Sequence, residues 1–229
     1  VLRVGLDPTY PPFEVDAGGD LTGLDVDLAR AIGADLGLNV AFSYFGYDGL
    51  YDALATGQVD ALLSALVVDP ARTKDFAYSE PYFNAGLILL APASETAVST
   101  MSGLANRRLA VELGAQSHVE ALAWSHKLAG LTVLPFSTPE EAVTAVLAGA
   151  ADAALMDGVN GRLILRDIPG LTLAAEAVTV EPYALVVRAA DGDLLRQLND
   201  SLARLRASGE LAAITARWLS PTSQERLHE

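Results

Sequence analysis

Residues 60–83 read DALLSALVVDPARTKDFAYSEPYF. The apolar run 61–63 has the character of a buried strand. The pattern breaks at Asp69-Pro70, where Asp can cap a helix N-terminus and Pro suits the first helical position. Arg72 follows in that first turn, where the helix dipole disfavours a cation by about a few tenths of a kcal/mol. An Arg set against that preference, just past the carboxyl end of a strand, is a candidate anion receptor, because a guanidinium grips a carboxylate with two parallel hydrogen bonds. The competing reading is an exposed Arg paired with Asp69 or Asp75, and the local sequence leaves both open.

Outward from this stretch, the pattern predicts strands at 2–6 and 40–44, a stiff aromatic loop TYPPF at 9–13, a hairpin turn at 17–20 and a helix from 23 to about 37. Pro11 and Pro12 fix φ and restrict the orientations of Tyr10 and Phe13. The FGYDG loop displays Tyr47 ahead of a helix at 50–56 that stops at Gly57. Beyond the opening stretch come a crossing strand at 85–91, a Ser/Thr-rich connection at 94–102, a strand at 108–111, a turn at 112–114 and a helix at 116–129. A strand follows at 131–135, then an N-cap signal at 137–140, a helix to Gly149, a strand at 153–156 and a helix at 159–166. A second crossing strand at 183–187 and two closing helices over 191–218 complete the pattern, ahead of a polar tail expected to fray.

YDALATGQVDALLSAL in the first half is echoed by VTAVLAGAADAALMDG about 90 residues later. Each is a helix, a Gly stop, two residues, Asp-Ala and an apolar strand. Repeated units of this kind predict two similar α/β lobes with a ligand cleft between them.

Composition narrows the classes. With 51% hydrophobic and 19% charged residues the chain is globular, and a net charge of −14 argues against nucleic acid and against an anionic membrane surface. No cysteine is present, which excludes disulfides, thiolate metal sites and a Cys nucleophile. No apolar run reaches the roughly 18 residues of a membrane span. The chain begins at Val1 without Met or a basic-then-apolar leader, as expected of a mature chain whose signal peptide has been removed.

Ligand contacts in α/β lobes cluster beyond the carboxyl ends of strands. That rule selects Asp7, Tyr10 and Tyr47, then Ser64 with Arg72, the turn 114–117 containing Gln116, and Asp157. The set offers an Arg for a carboxylate, an Asp for an ammonium, helix N–H groups near Gln116 for an anion, and two tyrosines to flank a flat or cationic side chain. A zwitterionic α-amino acid fits it.

Nearly the whole chain resembles the polar-amino-acid-binding proteins that serve ABC importers, extracellular solute-binding family 3. VGLDPTYPPFE, GLDVDLARAIGADLGL, YDGLYDALATGQVDALLSAL, DPARTKDFAYSEPY, VELGAQS, ADAALMDG, EPYALVVR and LNDSLARLRASGELAAITARWL carry the resemblance by their order and spacing. It implies a periplasmic-binding-protein-like type II clamshell, two α/β lobes joined by crossing strands, with residues 1–86 and 187–229 as lobe 1 and 87–186 as lobe 2. It also implies that Arg72 grips the ligand α-carboxylate, Asp157 binds the α-amino group, Tyr10 and Tyr47 sandwich the side chain, and the backbone at Gln116 adds carboxylate contacts. Ser64, Ala65 and Leu66 are expected in the adjoining ligand loop; the resemblance implies that Asp7 meets the side-chain end, and Glu112 is expected to join it there. The expected partners are a small-molecule amino acid and importer membrane subunits. The expected state is a monomer in the periplasm or outside the cell, lipid-anchored in some members, with no cofactor.

Val67 stands where the family commonly has Ser or Thr, and Gly114-Ala115-Gln116 where a hydroxyl-rich turn is usual. Each missing hydroxyl removes about 1 kcal/mol of head-group binding. These departures leave a modified ligand open: an opine, an imino acid or a quaternary amine. Asp7 and Glu112 together favour a cation by Coulomb attraction, so arginine, lysine or ornithine is expected ahead of glutamine. A ligand-sensing domain of a membrane receptor or kinase is the rival reading. A dehydratase-like enzyme using Glu112 as general acid is the weaker one, since no catalytic triad, phosphate loop or metal-spaced histidine set is present, and His118, His126 and His228 fall on expected exposed faces or the tail.

Overall fold

The computed structural model of the chain describes residues 1–95, 98–174 and 176–220; most of the expected frayed tail lies outside them. It divides into two compact units. Val1–Asn84 with Pro182–Trp218 form the first, and Ala85–Glu181 is the body of the second.

Unit 1 holds a five-stranded sheet in the order Val40–Tyr44, Leu2–Leu6, Ala61–Leu62, Val186–Arg188, Phe76–Tyr78. The first three strands are parallel, and Val186–Arg188 runs antiparallel to both of its neighbours. Helix Leu24–Asp35 buries Leu28 and Ile32, as their spacing predicts. Its entry is fixed by two bonds to the preceding loop, Leu24 N–H to Pro12 O and Asp25 N–H to Phe13 O, both 3.0 Å. Gly23 makes that approach possible. It sits at φ 139°, and a Cβ there would lie 2.0 Å from Phe13 O.

Unit 2 has its own five-stranded sheet in the order Thr132–Phe136, Arg108–Glu112, Ala153–Met156, Ile88–Pro92, Leu171–Leu173. Helices Gln116–Ser125, Pro139–Leu147 and Gly158–Asp167 belong to it. The N-cap signal is realised at Pro139–Leu147. Thr138 Oγ1 accepts from Glu141 N–H at 3.2 Å, and Glu141 Oε2 reaches back to Ser137 N–H at 2.9 Å. Thr138→Ala is expected to lower unfolding free energy by about 1 kcal/mol in a urea titration; no change would show that the cap contributes nothing.

The internal echo becomes a repeated clamp. In unit 1, Asp60 accepts the backbone and guanidinium N–H groups of Arg3, and Arg3 also donates to Gly57 O. In unit 2, Asp152 does the same for Arg108, which also donates to Gly149 O. The Asp before each apolar strand thus pins the strand beside it, and the Gly stop lends its carbonyl.

Several expected elements are shorter or divided. The strand expected at 85–91 begins only at Ile88 and runs to Pro92, because Ala85 N–H bonds to Glu181 O and Leu87 N–H to the Thr179 hydroxyl, outside the ladder that Ile88–Pro92 joins; Phe83–Asn84 forms a separate short strand before it. The one expected at 183–187 splits into Pro182–Tyr183 and Val186–Arg188, with Ala184 N–H turned to Leu66 O between them. Residues 182–186, expected in lobe 2, therefore pack in unit 1. The helix expected to reach Ala129 ends at Ser125, where Lys127 and Leu128 N–H both turn onto Trp124 O.

Candidate functional site

Beyond the carboxyl ends of the parallel strands in unit 1 lie Asp7, Tyr47 and Ser64. The Asp7 carboxylate ties the set together. One oxygen accepts from Tyr47 N–H at 2.9 Å, the other from the Thr9 hydroxyl at 2.7 Å, and Asp7 N–H donates to Ser64 Oγ at 3.0 Å. Asp7, Tyr10, Tyr47, Ser64 and Ala65, with Thr9, Val67 and Tyr183, line a cavity of about 330 Å³. Tyr10 is 43% exposed and its ring stacks on the fully buried Phe13 at 5.7 Å, so the ring is backed on one side. Tyr47 is 60% exposed.

A second cavity of about 430 Å³ shares Tyr47 and Val67 with the first and is lined by Tyr51, Asp69 and Arg72. Asp69 caps the turn Pro70–Arg72 as expected, accepting from Ala71 N–H at 2.9 Å. The Arg72 guanidinium lies 4.1 Å from the Tyr51 ring centroid and 3.2 Å from Asp69 Oδ2. Both sequence readings of Arg72 thus meet in one geometry: it is paired with Asp69, it is half-exposed, and it faces a cavity.

Leu66 is a different case. Its side chain is 1% exposed and packs in the hydrophobic core of unit 1 with Leu50, Leu54 and Leu62, so only its backbone is near the loop.

In unit 2 the parallel strands Arg108–Glu112 and Ala153–Met156 are neighbours, which brings Glu112 and Asp157 to the same sheet edge. Asp157 caps helix Gly158–Asp167, accepting from Val159 and Asn160 N–H on Oδ1 and from the Asn160 amide on Oδ2. Gln116 opens helix Gln116–Ser125. The turn before it is closed by His118, whose Nδ1 accepts from Gly114 N–H at 3.2 Å, with Gly114 at φ 81°. The sequence offered His118 only as an exposed helix residue.

Two buried carboxyls beneath the unit 1 cavity went unnoticed in the sequence. Glu14 and Asp25 are both fully buried. The Ser64 hydroxyl donates to Glu14 Oε1, and Asp25 Oδ2 accepts from Ala65 N–H at 2.7 Å and the Tyr82 hydroxyl at 2.9 Å. Burial, aided by the charge of Asp25, pushes Glu14 up to about 10; burial also pushes Asp25 up to about 7. The signal for Asp25 was present: 25, 28 and 32 share one helical face, so the apolar stripe includes an acid. Among the described residues no group of acids and histidines could hold a metal ion, and no helix is long and apolar enough to cross a membrane.

The profile of bacterial extracellular solute-binding proteins, family 3, matches residues 2–221. The chain belongs to this family. Among curated members of family 3, the L-cystine-binding protein of Escherichia coli strain K12 is 26% identical over 95% of this chain and 82% of its own length. The ABC transporter arginine-binding protein 1 of the same strain is also 26% identical, over 95% of this chain and 90% of its own. Among solved structures, the unliganded, open L-cystine solute receptor of Neisseria gonorrhoeae superposes with a TM-score of 0.83 at 25% identity, covering 96% of this chain and 93% of the receptor. The two α/β lobes have the type II periplasmic-binding-protein fold found in family 3.

Proposed function

We propose that the chain is the capture protein of an amino-acid ABC importer, working in the periplasm or outside the cell as a non-catalytic monomer. The observation that carries this reading is the grouping in unit 1 of the Arg72 guanidinium, the Asp7 carboxylate and the two exposed tyrosines Tyr10 and Tyr47 around adjoining cavities, with Asp48 and Asp69 also lining the one that Arg72 faces. In this reading Arg72 holds the α-carboxylate, Ser64 and Ala65 contribute head-group contacts, and Tyr10 and Tyr47 flank the side chain. From unit 2, Asp157 takes the α-amino group, the N–H groups near Gln116 add carboxylate contacts, and Glu112 joins Asp7 at the side-chain end. Closure by hinge motion then presents the loaded form to the membrane subunits.

In this reading Asp7 and Glu112 both serve the side-chain end, which favours a basic or amide-bearing ligand, arginine, lysine or ornithine ahead of glutamine. The relative named for arginine supports this; the one named for L-cystine marks the main competitor. Calorimetry against the common amino acids and L-cystine is expected to give tightest binding for a basic amino acid. Tight glutamate binding with no cation bound would overturn the basic preference, and binding of none of them would overturn the amino-acid reading.

A further inference from the structure

Family resemblance and cavity geometry leave the two buried carboxyls without a use. Glu14 and Asp25 approach the Ser64–Ala65 turn from different elements, one from the strand Glu14–Asp16 and one from the first turn of helix Leu24–Asp35. Gly23 holds those elements together by letting the helix entry close on Phe13. Ala65 sits at φ 47°, in the left-handed region that a residue with a Cβ avoids, and its N–H is aimed at Asp25 Oδ2. Ser64 is saturated in the same way, accepting from Asp7 N–H and donating to Glu14. Each carboxyl keeps one oxygen with no partner, Glu14 Oε2 and Asp25 Oδ1. Among the described residues neither forms a salt bridge to Arg or Lys, and the titratable groups acting on them are each other, Asp7, Tyr82 and, next to Tyr82, Tyr183. A buried acid pair with no cation is costly to maintain and has to be balanced by something it holds in place.

We propose that Glu14 and Asp25 are positioning residues for the Ser64–Ala65 turn, and that through this turn they set how tightly the unit 1 cavity holds its ligand. Asp25 keeps Ala65 in its unfavourable backbone conformation, and Glu14 orients the Ser64 hydroxyl that supports Asp7. The raised titration of both acids agrees with this geometry, since burial favours their neutral forms and a neutral carboxyl still accepts the bonds from the Ser64 hydroxyl and Ala65 N–H. The link to affinity rests on the amino-acid reading above; the hold on Ala65 does not.

The test compares the wild type with Asp25→Ala, Ala65→Gly, the double variant Asp25→Ala/Ala65→Gly, and Glu14→Gln beside Glu14→Ala. It reads amide-exchange protection at residue 65 and calorimetric affinity for L-arginine, with L-cystine as second probe. Asp25→Ala, which removes the acceptor of Ala65 N–H, is expected to lower protection at Ala65 and weaken binding about tenfold, and Ala65→Gly in the same chain to recover most of it, because Gly adopts the left-handed conformation freely. Glu14→Gln, which keeps an acceptor for Ser64, is expected to hold affinity within about threefold, while Glu14→Ala loses about tenfold. Unchanged protection and affinity in Asp25→Ala would overturn the proposal, as would a loss that Ala65→Gly does not recover. If Asp25→Ala does not fold, equal behaviour of Glu14→Gln and Glu14→Ala would overturn it instead. If neither probe binds the wild type, the amino-acid reading falls, and protection at residue 65 across the same chains still decides the positioning role.

Discussion

Arg72→Ala is expected to weaken amino-acid binding at least about thirtyfold while leaving thermal stability nearly unchanged. Losing a charge-assisted pair to a ligand carboxylate costs about 2–5 kcal/mol, which is about one and a half to three and a half decades of affinity. The same side chain contributes little to the fold. It is half-exposed, and its pair with Asp69 at 3.2 Å is of the surface kind, worth about 1 kcal/mol or less. Its stack on Tyr51 adds a contact of similar size. Calorimetry and a melting curve on one variant therefore separate two roles that share one geometry. Binding at wild-type strength would mean that Arg72 is only the partner of Asp69.

The second large effect is on stability against pH. Glu14 and Asp25 hold their protons more tightly folded than unfolded, where both titrate near 4. Between that value and the folded ones, about 7 for Asp25 and about 10 for Glu14, the folded state binds more protons than the unfolded state. Stability therefore falls as pH rises through this window. Acids held low by Arg partners act in the opposite sense at the acid end: Asp35, brought down to about 2 chiefly by its hydrogen bonds to Arg204, loses its contribution as pH falls below about 4. The melting temperature is thus expected to peak at mildly acidic pH and to drop by about 10 °C between about pH 5 and about pH 9, since forcing charge onto a buried unpaired acid costs about 3–5 kcal/mol. Glu14→Gln should flatten the alkaline part of that slope. A melting temperature that is level or rising over this range would show that the two acids are not buried as described.

The sequence carried the alternating strands, the Gly stops and the helix caps because each depends on neighbours within a few residues. Asp69 and Thr138 cap a turn and a helix where their types predict, and Gly57 and Gly149 follow helix ends at φ 74° and 70°. The repeat was legible too, down to the acid before each apolar strand. What escaped was set by distant chain. Nothing near residues 85–91 announces that Ala85 and Leu87 bond to Glu181 and Thr179 instead of joining a ladder. Leu66 was counted with the ligand loop because its neighbours belong there, yet its side chain fills the core. Glu14 and Asp25 were passed over because an acid in a strand or a helix's first turn is ordinarily a solvated one. Only the closing of the helix entry on Phe13, which Gly23 permits, puts both behind Ser64.

Unit 1 is made of two pieces of chain separated by the whole body of unit 2. Within its sheet, Phe76–Tyr78 is joined to the rest only through Val186–Arg188, which lies between it and Ala61–Leu62. The Arg72 turn hangs between those two strands. On the ribosome, at about 5–20 residues per second, several seconds pass between the synthesis of that turn and of the strand that frames it. Unit 2, continuous in sequence from Ala85 to Glu181, can complete its own sheet in the interval. Arg72 is thus locked in place long after it is made, and a nascent chain halted before Val186 carries an arginine turn without the strand that frames it.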